Sequence, residues 1–144
     1  MTRRQFKYAE DGVAAVEFAL FAPMLFVSIL AMTDIGRAVA ERAYLGQAVR
    51  AGAQAAMADP GASGVESVIE ASAAEIFPAA DPIAYTVARY CACPGAAETA
   101  VSCLATCTGS KPANIYYKLD ADRTYDAILL PDIALAASQR VRVR

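Results

Sequence analysis

"DGVAAVEFALFAPMLFVSILAM", residues 11–32, is apolar at nearly every position. From Val13 to Met32 the run is interrupted only by Glu17, Pro23 and Ser28. At about 1.5 Å per helical residue it reaches about 30 Å, the thickness of a bilayer's hydrocarbon core, so as a helix it can cross a membrane. The preceding "MTRRQFKYAEDG" carries Arg3, Arg4 and Lys7, which favours an N-terminus kept in the cytoplasm. Arg37, Arg42 and Arg50 follow on the other side, so the charge asymmetry is slight.

Glu17 stands in the first third of this run, where a carboxylate must be protonated, snorkelled to the interface or paired with a cation. Reaching the headgroups is one solution. Gly12 offers another, because it lies at the junction between charged leader and apolar run. A cut after Gly12 would make Val13 a free ammonium terminus and leave Glu17 about one helical turn from it. A glutamate near a helix N-terminus is favoured by the helix dipole, and it can pair with the terminal ammonium of a neighbouring copy. Such a pair sets the axial register of helices packed side by side.

Composition limits the alternatives. The chain has 144 residues, 57% of them hydrophobic, and a formal charge of −2, which argues against a nucleic-acid partner reading a basic face. Histidine is absent from the sequence, and with it the commonest general base and metal ligand. No nucleophile and base pair is recognisable, so no catalytic residue, cofactor, metal or small-molecule substrate is assigned. Beyond the first third only about a hundred residues remain to build a core, a size that often needs a covalent staple.

The junction resembles a known processing site. Gly12, four residues, then Glu17-Phe18 at the head of an apolar helix is similar to the site of type IV prepilin-like proteins. "GVAAVEFALFAPML", residues 12–25, is most similar to the TadE family of the tight-adherence (Flp) pilus system. The resemblance implies that a prepilin peptidase cuts after Gly12, that Val13 is the new terminus, and that Glu17 and Phe18 are the paired positions after it. It implies a non-enzymatic minor pilin or pseudopilin needed for pilus assembly. Its partners would be the inner membrane, the peptidase, other pilins and the assembly machinery. The protein would cross the inner membrane once, N-terminus in the cytoplasm and head in the periplasm, and could enter the extracellular fibre.

Two other readings stay open. "AVA" at Ala38 to Ala40 fits a small-x-small secretory cleavage pattern, although the apolar run is longer than an ordinary signal core and Asp34 and Arg37 crowd the site. Alternatively, the run is a signal anchor never processed at Gly12, and the head is a periplasmic binding or structural domain.

The rest of the chain predicts an α+β head. One helix is expected from about Gly12 to Met57, ended by Asp59-Pro60-Gly61, with small residues (Ala43, Gly46, Ala48, Ala51, Gly52, Ala53, Ala55, Ala56) that would let stalks pack closely in a fibre. "GASG", residues 61–64, reads as a linker. A second helix is expected from Val65 to Phe77, with a capping box at Ser63 and Glu66, an apolar stripe of Val65, Ile69, Ala73 and Ile76, and Pro78 and Asp81-Pro82 beyond its end. This helix should pack on a sheet.

Strands are expected at residues 85–91 and 114–121, the latter alternating Ile115, Tyr117 and Leu119 against Tyr116, Lys118 and Asp120. In the closing strand, Ile133, Leu135, Ala137, Val141 and Val143 share one side, and Ser138, Arg140, Arg142 and Arg144 the other. The arginine row reads as a solvated face, with an acidic partner as the alternative. "DADRTYD", with Asp120, Asp122 and Asp126, lacks the glycine and closing glutamate of a calcium loop and reads as a polar turn. The organisation expected is a leader at 1–12, a transmembrane and stalk helix at 13–58, and a head at 59–144.

Cys91, Cys93, Cys103 and Cys107 lie in one Cys-rich loop. Four cysteines allow three pairings; a Cys91 to Cys93 bond would close a strained small ring, which leaves the two arrangements joining the first pair to the second. A zinc site of four thiolates is the rival, but its usual spacing is two residues between ligands, and an oxidising compartment favours disulfides. The order of cysteine loop, aromatic strand, proline and closing Val-Arg strand also resembles the TadE-like pattern.

Overall fold

The computed structural model describes residues 7–77, 83–97 and 99–143, with side chains from Val13 onward. Residues 1–6, Pro78, Asp81, Pro82 and Arg144 lie outside the described residues. The chain order is α1 (Lys7–Ala56), α2 (Ala62–Ala74), β1 (Ala84–Ala92), β2 (Ala100–Val101), β3 (Thr106–Cys107), β4 (Lys111–Pro112), β5 (Asn114–Tyr125) and β6 (Ile133–Arg142). A long apolar helix is thus followed by a short helix packed on an antiparallel sheet, the α+β arrangement expected.

Helix α1 runs unbroken through Gly12 and through Pro23, whose ring supplies no N–H to the preceding turn. The hydroxyls of Ser28 and Thr33 donate to the carbonyls of Met24 and Ile29, both at 2.8 Å, so their polarity is satisfied inside the helix. The helix ends where Asp59 (φ 48°) and Gly61 (φ 87°) turn the chain. Gly61 is the N-cap of α2, and no side chain caps it. The expected Ser63–Glu66 capping box is therefore not formed, "GASG" opens the helix rather than linking to it, and α2 begins and ends three residues early. Val65, Ile69 and Ala73 are its buried stripe, while Ile76 lies past its end and is exposed.

The four-stranded sheet has the order β2-β1-β5-β6, and every neighbouring pair is antiparallel. Its inner face presents Val87, Ile115, Tyr117, Leu119, Ala121, Leu135 and Val141 to α2 and to the second half of α1, where Ala38, Leu45, Ala48, Val49, Ala53 and Ala56 are buried. Gly52 marks the closest approach: a Cβ placed there would lie 2.5 Å from Ile69 Cγ1 and 2.9 Å from Leu119 Cδ2. Much of the small-residue stretch thus packs inside the head. The expectation that it packs stalk against stalk is corrected for Ala48, Gly52, Ala53 and Ala56.

Strand β5 continues to Tyr125, through the residues expected to form a polar turn. It is paired on both sides, Asp122 lying opposite Ala84 and Ala136, and this pairing outweighs the local turn tendency of the aspartates. Asp120 is held by Lys118 at 2.9 Å; the hydrogen bonds of Lys118 and Ser138 keep its carboxyl below the ordinary range against the opposing effect of burial. On the same outer face Tyr90 stacks on Tyr116, and Arg140 and Arg142 face solvent.

Candidate functional site

The first part of α1 is the feature that the head does not explain. It is long and apolar enough to cross a membrane, and none of its most apolar window is buried within the protein. Phe18, Leu20, Phe21, Met24 and Phe26 are all at least 64% exposed. An apolar surface of that extent needs lipid or neighbouring helices around it. Glu17 is exposed within it, and Val13 and Phe18 lie on the same open helix. The structure thus places Gly12, Val13, Glu17 and Phe18 in one continuous helical segment.

Three contacts run along α1 and orient the head. Leu119 packs at Gly52, Arg123 Nε donates to Glu41 Oε2 at 3.0 Å, and the β5–β6 loop bonds to Asp34. Strand β5 therefore descends α1 toward the apolar run, and the β5–β6 loop reaches the helix where that run ends. The Arg123 guanidinium also covers the Phe77 ring, 4.8 Å from its centre.

Asp34 is the residue that sequence reasoning missed. It is fully buried, and its carboxylate accepts the backbone N–H groups of Ile128 (3.0 Å), Leu129 (2.8 Å) and Leu130 (3.2 Å). The first two bonds hold its carboxyl below the ordinary value of 3.8; burial opposes them, and Leu130 and the Arg37 charge add to them. The partners lie 94 to 96 residues away, so the only local signal was an acid two positions past an apolar run.

The opposite pole carries the cysteines. Cys91 bonds to Cys103 and Cys93 to Cys107, one of the two arrangements left open, so the four thiols form no zinc site. They tie the end of β1 to the β2–β3 turn through Cys103 and the residue just beyond β1 to β3 through Cys107, and Leu104 between Cys103 and Cys107 is 96% exposed. Near the α1–α2 turn, Asp59 receives Arg89 through two nitrogens at 2.8 and 2.9 Å and the Tyr117 hydroxyl at 2.6 Å, while Gly61 N–H donates to that hydroxyl at 3.1 Å. The hydrogen bond to Asp59 is the main cause that raises the Arg89 guanidinium above its ordinary value.

The secretory reading meets a structural obstacle. Ala38 is 6% exposed in the core, so cleavage after Ala40 would remove it and Asp34 from the head.

One exposed apolar helix leading into a small disulfide-bonded α+β head is consistent with a single-pass membrane anchor and its domain. Residues 12–54 match the family model described as TadE-like protein, the family that the Gly12 to Phe18 pattern resembles. That family is pilus-associated and structural rather than enzymatic. The match begins at Gly12 and covers most of α1 but not α2 or the sheet. No curated protein and no solved structure matches the chain.

Proposed function

We propose that this chain is a pseudopilin or minor pilin of a tight-adherence (Flp) type IV pilus, made with its N-terminus in the cytoplasm and processed by a prepilin peptidase after Gly12. The observation that carries this reading is the open apolar half of α1, which begins at the matched Gly12 and bears Glu17 within its first turns. Hydrolysis of the Gly12–Val13 peptide adds one water, leaving a carboxylate on Gly12 and an ammonium on Val13. Glycine is a weak point in a helix, so the bond can be unwound for a peptidase at modest cost. After the cut, Glu17 pairs with the Val13 ammonium of an adjacent subunit, and apolar helix faces pack as the chain leaves the lipid. The head lies on the far side of the membrane from the leader, its small core held by two disulfides.

Glu17→Ala and Glu17→Gln test the pairing. Cleavage is expected to proceed in both, while incorporation into the pilus or its initiation complex falls sharply in Glu17→Ala and is only partly restored in Glu17→Gln. Incorporation of Glu17→Ala at the unsubstituted level would contradict the pairing.

A further inference from the structure

The β5–β6 loop, residues 126–132, joins two features that are not needed merely to turn a hairpin. Ile128 and Leu129 point outward, 61% and 45% exposed. The N–H groups of residues 128, 129 and 130 point the other way, into the Asp34 carboxylate. Unsatisfied backbone N–H and C=O groups ordinarily keep a loop out of an apolar medium, and here three consecutive N–H groups are already satisfied, so the loop need enter only the headgroup and upper acyl region, where its carbonyls meet water. The segment is also fixed in place, tied to α1 two residues beyond Met32, an axial distance of about 3 Å. On the Asp34 side of α1, Leu30 and Val27, one and two turns back along the apolar run, are exposed at 39% and 53%, so that run leads up to the level of the loop. Arg37 is exposed one turn further along, within reach of lipid phosphates. Asp126 and Asp132 are exposed at the two ends of the loop and limit how deep it can go.

We propose that this loop is a second membrane contact: Ile128 and Leu129 enter the headgroup and upper acyl region of the leaflet on the head's side, and Asp34 holds them there. The occupant is lipid rather than protein because the loop is continuous with the surface of α1 that faces lipid, a point that rests on α1 spanning the bilayer. The contact fixes the tilt of the head on its anchor before assembly.

The chain contains no tryptophan, so a single introduced indole reports its own surroundings. The full chain carrying Leu129→Trp, and separately Ile128→Trp, is reconstituted at low protein-to-lipid ratio into vesicles containing brominated phosphatidylcholine. Met24→Trp reports the spanning helix and Leu104→Trp the far pole. Blue-shifted Leu129→Trp and Ile128→Trp emission, with quenching strongest for bromines about 5–10 Å below the headgroup boundary, is the expected result. Leu104→Trp should remain red-shifted and unquenched. Quenched Met24→Trp with unquenched loop indoles would overturn the proposal and leave the spanning helix intact. Unquenched Met24→Trp would overturn both. A blue shift that rises with protein-to-lipid ratio without bromine quenching would show a second copy covering the loop and would also overturn it.

Discussion

Asp34 accepts the backbone N–H of Leu129 at 2.8 Å across 95 residues of sequence. This bond and its two neighbours attach the β5–β6 end of the sheet to α1. The attachment is ionic in character on one side only, because the donors are amides and not a cation. Its pH dependence follows from that. The folded carboxyl lies below its ordinary value, so its contribution is fully present above the unfolded value of about 3.9 and is lost as pH falls through the folded one. Thermal melts of the reconstituted chain should be flat in this respect from neutral pH to about 5 and decline below about 4. Asp34→Asn should remove its share of that decline, and Asp34→Ala should lower the midpoint further by leaving three amides without their acceptor.

Gly52 should not accept a methyl group without loss. Ile69 and Leu119, from different elements, would both have to move. Overpacking of this kind costs about 1–3 kcal/mol, partly offset by alanine's better helix propensity, so Gly52→Ala should lose about 1–2 kcal/mol in denaturant unfolding. The loss should shrink in an Ile69→Ala background, where the space is already open.

Removing the Tyr117 hydroxyl should destabilise the α1–α2 turn. Tyr117→Phe takes an acceptor from Gly61 N–H and a donor from Asp59, and should cost about 1–2 kcal/mol by chemical unfolding. Burial, with the bond to Asp59, raises this phenol above 10.0, so its stabilising effect is present below that pH and fades as pH rises through the folded value.

Each disulfide closes a short loop, with separations of 12 and 14 residues, and should contribute about 2–3 kcal/mol. Cys103→Ser loses one bond at an exposed position. Cys91→Ser should cost more, since Cys91 is 1% exposed and the new hydroxyl would be buried in the core. Melts of the two variants under non-reducing conditions give the comparison.

Periodicity made the helices and the inner sheet face legible: the apolar run became α1, Val65, Ile69 and Ala73 became the buried stripe of α2, and Leu135 and Val141 point inward from β6. What escaped was decided by distant pairing. Asp120 and Asp122 have turn-forming chemistry, yet two flanking strands hold them extended. Ser63 and Glu66 have capping-box spacing, yet Gly61 at φ 87° begins the helix before them. The cysteine pairing was narrowed to two arrangements by ring strain and resolved only by where β2, the following turn and β3 return to the end of β1. Asp34 gave no periodic or spacing signal, because its three partners are main-chain groups whose identity the sequence does not encode locally.

The intact mass and N-terminal sequence of the chain, expressed with and without a prepilin peptidase and kept non-reduced, test the central claim most directly. A start at Val13 only when the peptidase is present, with a mass also lower by the four hydrogens of two disulfides, is the predicted result. A Met1 start in both samples would contradict processing and leave an unprocessed anchor, and a start at Glu41 would mean a secreted head without Asp34.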